Sequence, residues 1–121
     1  MSIHSYLQQH HQHLIQLLEA CVNMDSPSRD KEAGDRMAEW FARCFEELTG
    51  GRAERIPNSV YGDQVRCVLG SGSRQVLLIG HYDTVWPRGE AARRPFFIRE
   101  GKAYGPGVYD MKAGVLQAMF A

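Results

Sequence analysis

Neither sign of charge is in excess in this sequence: fourteen lysines and arginines face fourteen aspartates and glutamates over 121 residues, for a formal net charge of zero. Without a basic surplus the chain lacks the electrostatic footprint that nucleic acids and anionic membranes require, which excludes both as partners. No apolar run approaches the roughly 20 residues of a membrane span. The opening MSIHSYLQQHHQHL has neither a basic leader nor a short greasy segment with a cleavage site, so the expected location is cytoplasmic. Cysteine is scarce as well. Cys21, Cys44 and Cys67 are far apart and form no CxxC pair, which argues against a disulfide framework or a zinc knuckle and predicts three buried, small apolar side chains. The length suffices for one core and not for two.

What is present reads as two helices followed by short strands. Ile3, Leu7, Leu14, Leu18 and Cys21/Val22 recur at steps of three, four and seven, one face of an amphipathic helix near 3–23. His10, His11 and His13 crowd that helix, but only His10 and His13 share a face and no acid or thiol stands at a ligand spacing, so they read as solvated histidines. In DSPSRD, Pro27 disfavours helix at Ser26 and Ser28 is the expected cap of a second helix, near 30–48, with Asp30 and Glu32 in its first turn. Ala33, Met37, Trp40, Phe41, Cys44 and Leu48 are its core stripe, and Gly50-Gly51 its stop. The period then becomes two in RAERIP, DQVRCVLG and RQVLLIGHYD, three predicted strands with a hairpin turn at GSGS. VLLIG has no alternation, the mark of a strand buried on both faces, and is expected at the centre of a helix-covered sheet. The class is therefore α/β.

TVWPRGEAARRPFFIREGKAYGPG is long and irregular, with a predicted hairpin at FFIREGKAY turning at Glu100-Gly101. Arg93-Arg94 reads as solvated surface, and Glu90 and Glu100 as loop carboxylates without partners. MKAGVLQAMFA reads as the opening of a helix.

Two segments carry chemistry. In GHYD, His81 and Asp83 project to the same side of an extended chain, so the carboxylate can hold the imidazole. A metal-binding histidine usually donates its second ring N–H to such a group, and the carboxyl end of a central strand is where open α/β sheets place ligands. In YGPGVYDMKAG, glycines permit a tight approach and deliver Asp110 just before a helix, 29 residues beyond His81. That distance allows one excursion from the sheet and back, so His81 and Asp110 can converge on one ion.

VLLIGHYDTVWP followed by GKAYGPGVYDMKAG resembles the co-catalytic zinc exopeptidases: glutamate carboxypeptidases, acetylornithine deacetylase, succinyl-diaminopimelate desuccinylase and aminoacylases. SPSRD followed by a long helix is similar too, and the resemblance spans essentially the whole chain. It implies that residues 1–121 are the amino-terminal part of a metallopeptidase catalytic domain of the phosphorylase/hydrolase-like fold, truncated and with no second domain. His81 would bind one zinc, Asp83 would act catalytically by orienting His81, and Asp110 would bridge two zincs, with cobalt as an alternative ion. A cis bond between Asp110 and Met111 is also implied. The substrate would be a small peptide or an N-acyl amino acid cleaved at its amide bond, glutamate carboxypeptidase-like, and the full-length protein a homodimer.

The sequence departs from the family in two ways. Ala113 stands where the family usually has glycine, a mild change. The downstream Glu-Glu pair that supplies the general base is absent: Glu46-Glu47 lies upstream, on the second helix. The expectation is therefore an inactive front piece of a metallohydrolase, the alternative being a catalytically incompetent α/β module for binding or interaction.

Overall fold

The computed structural model describes residues 1–121. A reciprocal cap starts helix α1 (Ile3–Val22): the Ser2 hydroxyl accepts from the Ser5 N–H at 3.1 Å while the Ser5 hydroxyl accepts from the Ser2 N–H at 3.0 Å. Helix α2 (Lys31–Thr49) begins one cap later than expected. Asp30, rather than Ser28, accepts the Ala33 N–H at 3.1 Å, because a carboxylate at that position is a charge-assisted cap next to the positive end of the helix. Bidentate contact with Arg88, with the Ala33 bond, holds Asp30 down to a pKa of about 2. Gly50 ends α2 in the left-handed conformation.

The core lies between three helices. Leu18, Cys21 and Val22 of α1 pack with Met37, Phe41 and Cys44 of α2 and with Leu116 of α4 (Ala113–Phe120). The outer end of the α1 stripe covers nothing, and Ile3 is exposed. Cys21 and Cys44 are buried as expected, whereas Cys67 is exposed. It falls on β2 (Gln64–Val68), which pairs antiparallel with β1 (Arg52–Ile56) to make a ribbon buried on one side at most. The irregular segment contains a short helix, α3 (Glu90–Arg93), and then the expected hairpin, β3 (Phe97–Arg99) against β4 (Lys102–Tyr104). Both turn residues have positive φ, 53° at Glu100 and 74° at Gly101, the twist that suits two-residue hairpins. Glu90 has partners after all: it is buried and bonded by Arg93 and Arg94, which hold its carboxyl below the usual range.

The central strand is the expectation that fails. Residues 74–83 form no strand, the two sheets are two-stranded ribbons, and Leu77 and Ile79 are 80% and 84% exposed. An unbroken apolar run identifies a segment suited to burial on both faces, but a strand exists only where another strand lies alongside. In this chain β1 and β2 pair with each other, as do β3 and β4, leaving residues 76–79 without a neighbour. GSGS accordingly closes no hairpin. The chain is mixed α/β, without a helix-covered sheet.

Between β4 and α4 the chain makes a kinked turn over Val108–Lys112, where Asp110 (φ −118°, ψ 94°) and Met111 (φ −136°, ψ 34°) leave helical geometry. Gly107 enters this turn at φ 73°, and a Cβ there would sit 2.4 Å from Thr84 Cγ2. Gly107→Ala is expected to cost about 2 kcal/mol or more, combining left-handed strain with displacement of a buried threonine; a loss below about 0.5 kcal/mol in urea unfolding would refute this account. Lys112 closes the turn with 1% exposure. Its ammonium donates to the carbonyls of Cys21 at 2.9 Å and Met24 at 2.8 Å, at the C-terminal end of α1. A cation suits that end, where helix carbonyls lack partners.

Candidate metal centre

Four consecutive residues, His81 to Thr84, are strapped to the loop between α1 and α2. Thr84 N–H donates to the Ser26 carbonyl at 2.8 Å and Ser28 N–H to the Thr84 carbonyl at 3.2 Å, a parallel bridge of Pro27 on Thr84. The buried Ser26 hydroxyl donates to the Tyr82 carbonyl at 2.8 Å. Extended backbone sends alternate side chains opposite ways. Tyr82 turns inward, with its ring stacked on Phe41 at a centroid distance of 6.3 Å and its hydroxyl donating to the Asp63 carbonyl at 2.6 Å. Burial and the carboxylates of Asp35, Asp63 and Asp83 push the Tyr82 phenol up to about 12. A Cβ on Gly62 would lie 2.5 Å from that hydroxyl, so only glycine leaves room for it. His81 and Asp83 turn outward.

The imidazole of His81 stands between two carboxylates. Nδ1 is 3.0 Å from Asp83 Oδ1 and 3.1 Å from the Asp83 carbonyl, and Nε2 is 3.0 Å from Asp110 Oδ1. Asp110 reaches this point because the kinked turn aims it back at the strap; its bond to Met111 is cis, and Met111 Sδ meets the His81 N–H at 3.4 Å. A neutral imidazole has one N–H, so both carboxylates are served together only by the imidazolium. Partial burial opposes that charge, but the Asp83 carbonyl and the two carboxylates outweigh it and raise the His81 pKa above the ordinary histidine value. Side-chain exposure of 48% for His81, 42% for Asp83 and 78% for Asp110 leaves the site open to water.

The structure thus brings His81, Asp83 and Asp110 together. It contains no group of three or more His, Cys, Asp or Glu side chains able to hold a metal ion. As a donor set, an imidazole nitrogen backed by a carboxylate and a second carboxylate oxygen beside it suits zinc in atom type, and supplies two of the ligands such an ion needs. The other candidates stand apart. His10 meets the Tyr6 ring at a tilt, centroids 4.3 Å apart, and His13 lies edge-on to Phe120. Glu46 accepts the Ala53 N–H at 2.9 Å, and Glu47 is exposed. The inward turn of Tyr82 was available from strand alternation in HYD, whereas the contacts of Ser26 and Ser28 span 56 and 55 positions and that of Gly62 depends on a close approach, and no local pattern announces them.

Comparison with known proteins shows what the site segment is similar to. Residues 77–121, which contain all three residues of the triad, match the model of peptidase family M20/M25/M40. Over 104 residues, 84% of its length, the chain is 36% identical to carboxypeptidase G2 of Pseudomonas sp. (strain RS-16). It spans about a quarter (25%) of the length of that relative. No helix of the chain is long and apolar enough to cross a membrane.

Proposed function

We propose that residues 1–121 form the amino-terminal part of the catalytic domain of a co-catalytic zinc hydrolase, which cleaves the amide bond of a small peptide or N-acyl amino acid. The observation that carries this reading is His81 clamped between Asp83 and Asp110, with Nε2 and Asp110 Oδ1 3.0 Å apart at an exposed point. The carboxypeptidase relative supports the carboxypeptidase branch. A homodimer and a cytoplasmic location complete the proposal, and the three free cysteines suit a reducing compartment.

The chain's own residues divide the work. Asp83 accepts a hydrogen bond from the Nδ1–H and fixes the tautomer, so that Nε2 would be the coordinating atom. Asp110, its side chain 78% exposed, would hold a cation beside His81 and offers a second oxygen for another. Zinc, when bound, lowers the pKa of water and polarises a carbonyl. Nε2 must release its proton to take a metal, so uptake competes with protonation and weakens as pH falls. The general base belongs outside these residues: Asp83 is committed to His81, and Glu90 to Arg93 and Arg94.

Asp83→Asn is expected to lower zinc affinity by roughly 10- to 100-fold, the usual consequence of losing a carboxylate behind a metal-bound imidazole. Calorimetric titration with zinc chloride checks this; unchanged affinity in Asp83→Asn together with unchanged affinity in His81→Ala would remove the metal reading and leave the binding-module alternative.

A further inference from the structure

The carboxylate of Asp83 has two oxygens, and each has its own donor. Oδ1 faces His81 Nδ1 at 3.0 Å, and Oδ2 accepts the hydroxyl of Ser28. The Ser28 backbone is fixed by the bond from its own N–H to the Thr84 carbonyl at 3.2 Å, one of the two bonds of the Pro27–Thr84 bridge. Its neighbour Ser26 is 1% exposed and tied to the Tyr82 carbonyl. The capping role at α2 belongs to Asp30, so the Ser28 hydroxyl is free for Asp83, with the Thr84 carbonyl a longer second acceptor at 3.3 Å. A carboxylate held at one oxygen can still turn about its terminal torsion, which is a broad one. Held at both oxygens, it keeps one orientation, and that orientation dictates the ring of His81.

We propose that Ser28 is a positioning residue of the candidate metal centre: its hydroxyl clamps Asp83, Asp83 presents one oxygen to His81 Nδ1, and His81 therefore keeps Nε2 directed at Asp110. The chain of contacts runs from the loop between the first two helices, through two side chains, to the coordinating atom. Its metal arm rests on the zinc reading above; its imidazole arm rests on the geometry alone. Ser28 is exposed, so removing its hydroxyl opens no cavity and the effect of Ser28→Ala is confined to Asp83 and what Asp83 holds.

The test uses the full chain as wild type, Ser28→Ala, Ser28→Thr and His81→Ala. In nitrogen-15 NMR of the imidazoles at one fixed pH, the wild-type His81 Nδ1–H should give a hydrogen-bonded, slowly exchanging signal. Ser28→Ala should broaden or lose it, and Ser28→Thr, which keeps a hydroxyl, should restore it. Titration with zinc chloride should weaken about 10-fold in Ser28→Ala, the low end for a lost outer partner of a metal ligand, and return to wild type in Ser28→Thr. The melting temperature should stay within about 3 °C in both. A wild-type His81 signal and wild-type zinc affinity in Ser28→Ala would overturn the proposal, as would equal loss of melting temperature in both Ser28 variants with the imidazole signal intact. Unaltered zinc binding by His81→Ala would instead remove the zinc reading, while the imidazole signal would still decide whether Ser28 holds Asp83.

Discussion

Asp110→Ala is expected to abolish amide hydrolysis by the enzyme proposed to contain this chain, and residues 1–121 alone are expected to show none. Both follow from ligand arithmetic. Two zincs that each keep an open catalytic position want about three protein ligands apiece, one of them shared. His81 and Asp110 are two donors, and the chain has no cluster of three. If Asp110 is the shared ligand, its loss removes a donor from both ions and leaves two cations facing each other unscreened. The substitution should spare the fold, because the Asp110 side chain is 78% exposed. Nor does the chain offer a group to take a proton from water. Asp83 is held at both oxygens, Glu90 is buried under two arginines, and Glu100 sits in the tip of a hairpin. Hydrolysis and zinc content, measured on residues 1–121 and on a longer chain carrying further carboxylates, decide the matter. Robust, chelator-sensitive turnover by the 121 residues would show this account of the missing base to be wrong.

Lys112→Ala is expected to destabilise the fold by about 3 kcal/mol or more, and Lys112→Met by much less. The alanine variant loses a buried four-carbon stem and both bonds to the end of α1. The methionine variant keeps the packing, and its loss of hydrogen bonds is offset by no longer burying a charge. Burial lowers the Lys112 pKa from 10.5 to about 8, and this gives the pair of proteins a pH signature. Below pH 8 both folded and unfolded states hold the proton. Between about 8 and 10.5 the unfolded chain keeps a proton that the folded chain has lost, so wild-type stability rises with pH across that window. For this one group the rise is on the order of 3 kcal/mol. The Cys21 thiol, pushed from 9.0 up to about 12 by burial, works the other way: it stays protonated when the unfolded thiol ionises, so stability falls above pH 9. Above pH 9 Cys21 alone cancels the Lys112 rise, and Cys44, raised the same way to about 11 by burial, tips the balance to a fall; wild type should therefore be most stable near pH 9, and Lys112→Met should lack the rise towards it. Urea midpoints for both proteins between pH 7 and 10 test this; parallel curves would mean that Lys112 folds in without a perturbed proton.

Local signals were legible in the sequence wherever the determining contacts are local. The apolar spacing of Leu14, Leu18 and Cys21, the stripe from Met37 to Cys44, and the Gly50 stop specify α1 and α2 within a residue or two, because capping and helical periodicity act over a few positions. The Glu100-Gly101 turn was legible for the same reason. VLLIG was not, since its apolar run speaks to what the segment would bury in and says nothing about whether a neighbouring strand is at hand. Cys67 misled because a thiol's usual burial is a statistical habit, and its strand belongs to a two-stranded ribbon with an open face. At the site, His81 and Asp83 could be paired from alternation alone. Asp110 needed the excursion through 84–109 to return, which glycine placement suggested and the kinked turn accomplishes. The clamp by Ser28 and the burial of Lys112 against the end of α1 join residues 55 and about 90 positions apart, and no sequence window contains both partners.

The bare row from Val76 to Ile79 also governs how this chain behaves in bulk. Its four apolar side chains are 66–88% exposed, and its backbone groups pair with no strand, in a molecule whose formal net charge at pH 7 is zero. Colloidal repulsion between copies is therefore weakest at neutral pH, where a ready template for edge-to-edge stacking stands uncovered. The solubility of residues 1–121 is accordingly expected to be lowest near pH 7, which light scattering against concentration and pH checks. A lysine or glutamate introduced at Leu77 or Ile79 should raise that solubility more than any change to the core.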